Sequence, residues 1–402
     1  MFIFKKNSMT KAKKNILLIV QNNSFPFDKR VKKEAVSLIN NGLNVYVLSP
    51  TSEIESEKVD NYNGINIKRY VDHKSDGSII GYLKEYSLSL AKIYFYSLKL
   101  VLKNKIKVVH FANPPDFFWP LFIILKIFSV KIIYDQHDLS PELSDIKFRN
   151  NFIFKLLKFN ERMSLKYADG IIFANNTFLE RALKTNKIDH KLKEIVFNGP
   201  EKKFSTIFNE ELKKLFNNKK IALFVGLMSV EDNLEVIVQV ADEIVNNRKY
   251  GDIVFILVGD GDSRKKIEQY IDELNLKEYF YFTGLVSHEK VQEYLGIADV
   301  CLTPDLPNGL NEYLTLIKVL EYMKAKKTFV AFDLYETKNL AGESGLYSKN
   351  IFDFADNVIN LLNNKEAAIE KGEIGYEIIQ NKYCWDLQEK KLLNLYNKIM
   401  IS

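Results

Sequence analysis

The sequence lacks the features of secreted and membrane-spanning proteins. It contains only two cysteines, Cys301 and Cys384, too few for a disulfide framework. The nearest candidate for a membrane span, residues 117–130, is short and is interrupted by a proline and a lysine. Residues 1–14 carry lysines but no apolar stretch ahead of a cleavage site, so we expect no signal peptide. These absences predict a chain that stays in the reducing cytoplasm.

Several enzyme signatures are missing as well. The first predicted strand is not followed by GxGxxG, which argues against a dinucleotide-binding first domain. A P-loop, a nucleophile-elbow serine, HExxH and paired CxxC motifs are also absent. Dehydrogenases and most NTPases, hydrolases and zinc enzymes are therefore disfavoured. No basic–aromatic motif of nucleic-acid binding is present, so we expect no nucleic-acid partner.

Charge is unevenly divided between the two halves of the chain. Residues 1–200 contain 32 basic and 19 acidic residues, a net +13, whereas residues 201–402 contain 25 and 32, a net −7. The basic half predicts an anionic partner, and a peripheral position on the inner face of the plasma membrane fits best. A basic amphipathic helix over residues 78–103 suits a membrane surface, or else packs on the core with a solvated lysine face. A general bias of the composition towards lysine is the alternative explanation.

Strands alternate with helices throughout the 402 residues, a length that suggests two domains. The alternation predicts an α/β protein with two doubly wound, Rossmann-like domains facing across a cleft. We place the N-terminal domain at 1–200, a linker at 201–218, the C-terminal domain at 219–380 and a terminal helix at 381–402. The predicted strands are 15–20, 45–48, 65–69, 108–111, 131–134, 170–174, 194–197, 221–225, 253–258, 281–283, 299–303 and 328–332.

Residues 298–332 form the most informative stretch. Their pattern predicts a buried strand, a loop rich in turn residues, a helix that begins with Thr315 as its N-cap, and a second buried strand. Such a loop at the carboxyl end of a parallel strand is where α/β proteins bind ligands, and the helix amides suit a phosphate. The alternative is a solvated loop in which Lys318 and Glu321 form a surface pair.

A glycine-containing turn precedes another predicted helix. Gly259 and Gly261 would let the backbone approach a phosphate, although a tight strand–helix turn explains them equally well. Asp260 and Asp262 also form a DxD pattern. They fit helix capping better than a site for a metal-bound diphosphate.

Polar residues follow two strands of the N-terminal half. Asn113 and Asp116 come after one strand, and His137 lies between Asp135 and Asp138 after the next. Because the carboxyl ends of parallel strands share one edge of a sheet, we expect these loops to lie together. A neighbouring carboxylate would fix the tautomer of His137. A purely structural histidine is the alternative, and a metal site would need further ligands that the sequence does not show.

A series of short motifs runs along nearly the whole chain. They are FPFDKRVKKEA, FANPPD, YDQHDLSPEL, ERMSLKYADGIIFANN, VFNGP, LVGDGD, FTGLV, ADVCLTPD, LNEYLTLIKVLEYM, VAFDLYETKNLAGESGLY and YCWDLQEKKLLNLY. No single motif is specific, but their order resembles that of family 4 glycosyltransferases of the GT-B fold. Within that family the chain is most similar to a branch that makes bacterial surface polysaccharides such as lipopolysaccharide or capsule. The last motif resembles the family's final helix, which crosses back to the N-terminal domain.

The resemblance implies a retaining glycosyltransferase without a metal or other cofactor. It would move a sugar from a nucleotide-sugar donor to a glycan or polyprenyl-linked acceptor. It also implies that Glu321 bonds the donor ribose and that His137 lies near the reacting sugar; with Lys318 these are the expected catalytic residues. The expected donor-binding residues are Gly226, Met228, Gly259, Gly261, Asn311, Glu312, Thr315, Lys318 and Glu321. The expected acceptor-side residues are Phe25, Asp28, Arg30, Asn113, Asp116 and Asp138.

The chain departs from the family at several charged positions. An Arg and a Lys that many members carry after the first C-terminal strand are replaced by Leu227 and Asp232, and the first family glutamate by Tyr313. Lys318 and Arg30 are therefore the candidates to neutralise the leaving diphosphate. Two alternatives stay open: a nucleotide-sugar epimerase of the same fold and, motivated by these losses, a non-catalytic subunit of a glycan-assembly complex.

Overall fold

The chain folds into two compact units, residues 1–196 with 389–402 and residues 197–388. Residues 1–13, on which the expectation of no signal peptide rests, lie outside the described residues. No helix in the described part of the chain is long and apolar enough to cross a membrane. A computed structural model describes residues 14–51, 61–72, 79–217 and 219–401.

The first unit is built on one largely parallel sheet. Its described strands are β1 (Asn15–Ile19), β2 (Asn44–Pro50), β3 (Asn61–Tyr62), β4 (Ile65–Tyr70), β5 (Val108–Ala112), β6 (Lys131–Gln136), β7 (Gly170–Phe173) and β8 (Leu192–Ile195). They pair in the order β3-β4-β2-β1-β5-β6-β7-β8, and among them only β3 and β4 are antiparallel. Every residue of β5 is buried, as expected where helices cover both faces of a parallel sheet.

Helices connect these strands on the two faces of the sheet. They are α1 (Lys29–Asn40), α2 (Ile79–Asn104), α3 (Trp119–Ile127), α4 (Ser140–Phe148), α5 (Asn151–Tyr167) and α6 (Asn176–Thr185). Helix α1 begins where Asp28 Oδ1 accepts hydrogen bonds from the amides of Arg30 and Val31. It ends before Gly42, whose φ of 84° suits the left-handed residue that follows a helix.

The second unit contains an all-parallel sheet. Its strands are β9 (Lys220–Val225), β10 (Ile253–Val258), β11 (Phe280–Gly284), β12 (Val300–Thr303), β13 (Phe329–Phe332) and β14 (Gly345–Ser348), in the order β11-β10-β9-β12-β13-β14. The helices of this half of the chain are α7 (Glu210–Lys214), α8 (Glu235–Asp242), α9 (Arg264–Glu273), α10 (His288–Ile297), α11 (Ile317–Lys324), α12 (Tyr335–Ala341), α13 (Ile351–Asn363), α14 (Lys365–Ile378) and α15 (Trp385–Ile401). From residue 389 onwards α15 belongs to the first unit. Two parallel-sheet α/β units confirm the predicted fold class.

The predicted N-cap at Thr315 is wrong. Helix α11 begins at Ile317, and the residue at its N-cap is Leu316, which has no side-chain acceptor. The hydroxyl of Thr315 instead donates to Glu336 Oε1 at 2.8 Å. The hydroxyl that the local sequence assigned to capping α11 therefore bonds to the start of α12 instead.

Two other elements differ from their predicted bounds. The strand predicted at 194–197 lies at Leu192–Ile195. The helix predicted near 231–247 is divided into a 3₁₀ turn (Val230–Asp232), α8 and a π-helical turn (Glu243–Asn247). Asn233, with a φ of 52°, separates the first turn from α8, because a left-handed residue interrupts a right-handed helix.

Each sheet has a point at which the strand order reverses. In the first unit β1 has β2 on one side and β5 on the other, and in the second unit β9 lies between β10 and β12. In parallel sheets ligands bind beyond the carboxyl ends of the strands at such a point. The loops after β1 and β5, and those after β9 and β12, are therefore the candidate binding loops of their units.

Candidate functional site

Two glycine-containing loops lie in backbone contact in the second unit. The amides of Gly226 and Met228, after β9, each donate to a carbonyl of the β10 end or its loop at 3.0 Å. A Cβ on Gly259 would lie 1.9 Å from the Gly226 carbonyl oxygen, and one on Gly261 would lie 2.6 Å from that of Met228. Both glycines are therefore required for the packing of the two loops. The GxG pattern is thus explained without a phosphate.

The predicted residues in the loop after β12 hold that loop in place. Asn311 is buried, and its side-chain amide donates to the carbonyl of Leu306 at 2.8 Å. Glu312 Oε2 accepts from the first amide of α12 at 2.9 Å, while Thr315 bonds to Glu336. These contacts shape the loop, and a direct role of the three residues in donor binding stays a prediction.

Lys318 is held by two carboxylates. Its Nζ lies 3.2 Å from Asp232 Oδ1 and 3.1 Å from Asp305 Oδ2, and 4.9 Å from the centre of the Phe224 ring. Burial, opposed by Lys318, raises the pKa of Asp305. Because two carboxylates share one ammonium group, Lys318 offers a ligand less net positive charge than an unpaired lysine would. Asp232, which stands at a departure from the family pattern, is thus a partner of Lys318.

Glu321 lies three residues further along α11. Its side chain is half-buried, and its carboxylate makes no hydrogen bond or ion pair with any residue that the structure describes. The next residue fixes the helix: the Tyr322 hydroxyl accepts from the Val225 amide at 3.0 Å and donates to the Leu302 carbonyl at 3.2 Å. Helix α11 is therefore tied to β9 and β12, the strands on either side of the switch point, and Glu321 on this helix has unpaired acceptor atoms.

In the first unit Asp135, at the end of β6, is the centre of a buried cluster. Its Oδ1 accepts from Arg30 Nη2 at 2.9 Å. Its Oδ2 lies 2.6 Å from His137 Nε2 and 3.3 Å from His110 Nε2. Burial alone would raise the pKa of Asp135, but Arg30 and the two histidines outweigh it and hold the pKa well below its usual range. The carboxylate is therefore ionised and accepts from all three side chains.

The ionised carboxylate fixes the tautomers of both histidines. A carboxylate only accepts, so Nε2 of His110 and of His137 each carries a hydrogen. Nδ1 of His110 then accepts from the hydroxyl of Tyr396, on α15, at 2.8 Å, and burial lowers the pKa of His110 so that it stays neutral. In His137, whose side chain is 12% exposed, Nδ1 is the ring nitrogen left for a ligand.

Asn113 and Asp116 join the loops after β5 and β6. Asn113 Oδ1 accepts from the amides of His137 at 2.5 Å and Asp138 at 3.0 Å, and its Nδ2 donates to Asp116 Oδ1 at 3.0 Å. Asp116 also accepts from the hydroxyl of Tyr134. Both residues are fully buried. They shape the turn that carries His137 and do not face a ligand themselves.

Asp116 gives the first unit a specific dependence on pH. Burial, followed by the charge of Glu161, raises the pKa of Asp116 from 3.8 to about 6. The folded state therefore holds this proton more tightly than the unfolded state, and the contribution to stability grows as pH falls through that window. In urea unfolding, wild type should gain about 2–3 kcal/mol relative to Asp116→Asn between about pH 7 and pH 4. Asp145→Asn, at an exposed aspartate, is the control and should keep the pH dependence of wild type. Equal pH dependence of the unfolding free energy in wild type and Asp116→Asn would contradict this prediction.

The remaining acceptor-side residues have mainly structural contacts. Phe25 is fully buried and packs edge-to-face on Tyr62 at 5.7 Å. Asp28 caps α1, and Arg30 is bound to Asp135. Asp138 is half-buried, and its carboxyl group has no partner among the described residues; burial raises its pKa. Besides His137, Asp138 is the predicted site residue of this unit whose side chain remains available for a ligand.

Three residues of this cluster were not identified from the sequence as parts of a site. They are Glu34, His110 and Tyr396. Both carboxylate oxygens of Glu34 are buried without a hydrogen bond among the described residues, and burial raises its pKa well above the usual value. The i,i+4 spacing of Glu34 from Arg30 could have indicated their contact. Tyr396 lies 286 residues from His110, so no local pattern indicated their hydrogen bond.

The same cluster contains a group of possible metal ligands. Ligand atoms of Glu34, Asp135 and His137 lie within 4.8 Å of one another. However, Arg30 lies 3.2 Å from Glu34 Oε1 and 2.9 Å from Asp135 Oδ1, so a guanidinium already supplies the positive charge. His137 Nε2, moreover, carries the hydrogen that it donates to Asp135. The donor set does not fit a metal ion.

Comparison with known proteins connects the second unit with a family. Residues 219–364 match the family described as Glycosyl transferases group 1. Alpha-D-kanosaminyltransferase of Streptomyces kanamyceticus is 25% identical over 187 residues, which is 46% of this chain and 47% of that enzyme. The chain spans about half the length, or less, of the first curated relatives that it matches.

Solved structures resemble nearly the whole chain. Sucrose-phosphate synthase from Thermosynechococcus elongatus superposes with a TM-score of 0.78 at 16% identity, covering 97% of this chain and 100% of that one. Anabaena HepE in complex with UDP-glucose gives a TM-score of 0.69 at 13% identity, covering 96% and 99%. At these identities the likeness establishes the fold, and the predicted GT-B fold is confirmed.

Proposed function

We propose that this chain is a retaining, metal-independent glycosyltransferase that moves a sugar from a nucleotide-sugar donor to a cell-surface glycan or lipid-linked acceptor. The unpaired carboxylate of Glu321 at the switch point of the second unit carries the proposal. The two neighbouring hydroxyl groups of a ribose can both donate to one carboxylate, in charge-assisted hydrogen bonds. The match of residues 219–364 to group 1 glycosyl transferases and the UDP-glucose complex of HepE support this class of donor.

The leaving diphosphate needs positive charge or hydrogen-bond donors as the glycosidic bond breaks. Lys318 provides part of it, although Asp232 and Asp305 offset its charge. Main-chain amides at the start of α11 supply the remaining donors in this proposal. Arg30 is excluded from this role because Asp135 binds it.

A donor screen tests the proposed function. We expect UDP or a UDP-sugar to raise the unfolding temperature of the full chain, since a ligand that binds only the folded state stabilises it by about 2.7 kcal/mol at a hundredfold excess over Kd. Release of nucleoside diphosphate should then require a sugar acceptor. Absence of any shift across nucleoside diphosphates and their sugars would contradict donor binding.

The same assay separates the two alternatives. A nucleotide-sugar epimerase would convert the donor without an acceptor, which chromatography of the recovered nucleotide sugar would show. A non-catalytic subunit would neither convert nor transfer the sugar. The losses at Leu227, Asp232 and Tyr313 motivate this second alternative.

His137 is expected to act on the transferred sugar through Nδ1. His137→Ala removes this hydrogen-bonding atom, and we expect turnover to fall about tenfold to a hundredfold, equivalent to about 1.4–2.7 kcal/mol of transition-state stabilisation. Steady-state kinetics of diphosphate release measures the effect. His190→Ala, at an exposed histidine of the same unit, is the control and should keep full activity. Full activity of His137→Ala would remove the residue from the proposed site.

A further inference from the structure

Helices α2, α3 and α5 form one layer on the first unit. The hydroxyl of Tyr94, on α2, donates to the carbonyl of Phe117 just before α3 at 3.4 Å. On α3, Trp119 packs edge-to-face on Phe159 of α5 and donates to Asn160 at 2.8 Å. The three helices lead from β4 to β5, β6 and β7, all in one direction across the sheet. Right-handed crossovers place them on the same face.

This layer, the α2–α3–α5 layer, exposes large apolar side chains on each of its helices. The most exposed are Ile127 on α3 and Phe152 on α5, at 76% and 75%, with Phe95 and Leu102 on α2 and Phe159 on α5. On α2 the exposed residues Leu88, Phe95 and Leu102 recur every seven positions and so form one stripe. Several such residues on adjoining helices indicate an interaction surface, whereas scattered single ones would need no explanation.

The charges on the layer are all of one sign. Every exposed charged side chain described on these three helices is basic: Lys84, Lys99, Lys103, Lys155, Arg162 and Lys166. The two acids on the helices are not exposed, because Glu85 is half-buried and Glu161 is buried. A surface that faces only water normally mixes both signs. Basic residues beside aromatic and aliphatic ones are instead the pattern that binds anionic lipid headgroups and the upper acyl region.

We propose that the α2–α3–α5 layer is the surface by which this protein binds an anionic phospholipid bilayer, lying in the headgroup region without crossing it. A second copy of the chain is the less suitable occupant, because pairing two such layers would bring lysines against lysines. The proposal does not depend on sugar transfer. Lipid binding is measured without donor or acceptor, so the two proposals can fail separately.

Sedimentation with lipid vesicles tests the proposal on the full chain. We expect binding to vesicles of phosphatidylcholine mixed with phosphatidylglycerol, and much weaker binding to phosphatidylcholine alone. The variant Lys155→Gln/Arg162→Gln/Lys166→Gln should lower the partition coefficient tenfold or more, at about fivefold per charge removed. Phe95→Ser/Phe152→Ser should lower it as well, because it removes insertion while keeping the charges.

Matched variants on the second unit serve as controls. Lys265→Gln/Lys349→Gln/Lys365→Gln removes three exposed lysines there and should leave vesicle binding unchanged. Equal losses in this variant and in the α5 charge variant would show non-specific attraction and overturn the proposal. So would a lack of binding to the anionic vesicles, or a dimer in sedimentation equilibrium that Phe95→Ser/Phe152→Ser dissociates, since a second copy would then cover the layer.

Discussion

Replacing Glu321 by alanine should weaken donor binding about a hundredfold or more while the fold stays intact. The carboxylate has no partner among the described residues, so its removal breaks no contact within the protein. In the proposed complex it accepts two hydrogen bonds from the ribose, each contributing about 1.5–3 kcal/mol because the acceptor is charged. The loss corresponds to about a hundredfold or more in the KM for the nucleotide sugar. Calorimetric titration with the nucleoside diphosphate measures the binding loss directly.

Two further variants define the role of Glu321. Glu321→Gln keeps the size and one acceptor oxygen but removes the charge, so it should fall between wild type and alanine. Glu370→Ala removes an exposed glutamate from α14 and should bind donor like wild type. Unchanged donor affinity in Glu321→Ala, with a normal unfolding temperature, would mean that the ribose binds elsewhere.

Replacing Asp135 by leucine should have the largest effect on stability. The substitution removes the carboxylate that binds the buried guanidinium of Arg30 at 2.9 Å, leaving only Glu34 at 3.2 Å among the described residues, and also removes the acceptor of two histidines. Breaking a buried ion pair by removing one partner costs about 3–5 kcal/mol. Urea unfolding should therefore show an earlier transition for the first unit. Activity should fall as well, because nothing then fixes the orientation of His137.

A double variant separates the ion pair from other effects of the substitution. In Asp135→Leu/Arg30→Met both charges of this pair are gone, and we expect part of the lost stability to return, since the guanidinium no longer stays buried without Asp135. Glu34 stays buried in the single and the double variant alike. Turnover should stay low, because His137 still lacks its acceptor. If the double variant is as unstable as the sum of the two single variants, the pair does not act as a unit.

The pH dependence of this effect has a defined sign. The pKa of Asp135 is lower in the folded state than in the unfolded chain, so its stabilising contribution is complete above the unfolded value of about 3.9. The contribution is lost as pH falls below that value. Asp135→Leu should therefore resemble wild type more closely in acid than at neutral pH.

The order of strands and helices could be predicted because local patterns of apolar and turn residues indicate it. Continuous apolar runs at β1, β5, β9 and β10 mark central parallel strands wherever they occur, and turn residues separate them from amphipathic helices. Several bounds still shifted by a few residues. The local sequence predicted that Thr315 caps α11, but its hydroxyl bonds to Glu336, 21 residues further along the chain.

The sequence indicated candidate site residues but not their contacts. His137 and Glu321 follow from strand ends and motif order, and the structure leaves acceptor or donor atoms of both free for a ligand. The partners of Lys318 were missed, because Asp232 lies 86 residues away and Asp305 lies 13 residues away, at the start of the loop after β12. Arg30 was assigned to a ligand although a buried carboxylate binds it. A sequence shows which charges exist, but pairing and burial depend on the folded chain.

The hydrogen bond between Tyr396 and His110 has a consequence for how the protein is made. The ribosome releases residues 1–196 early, yet the polar core of the first unit lacks its last member until residue 396 is synthesised. Domains usually fold as units during translation, from the N-terminus onwards. Here the whole of 197–388 is synthesised while the first unit is incomplete. A ribosome that stalls or terminates within α15 would thus leave the nascent chain with a finished second unit and an unfinished first one.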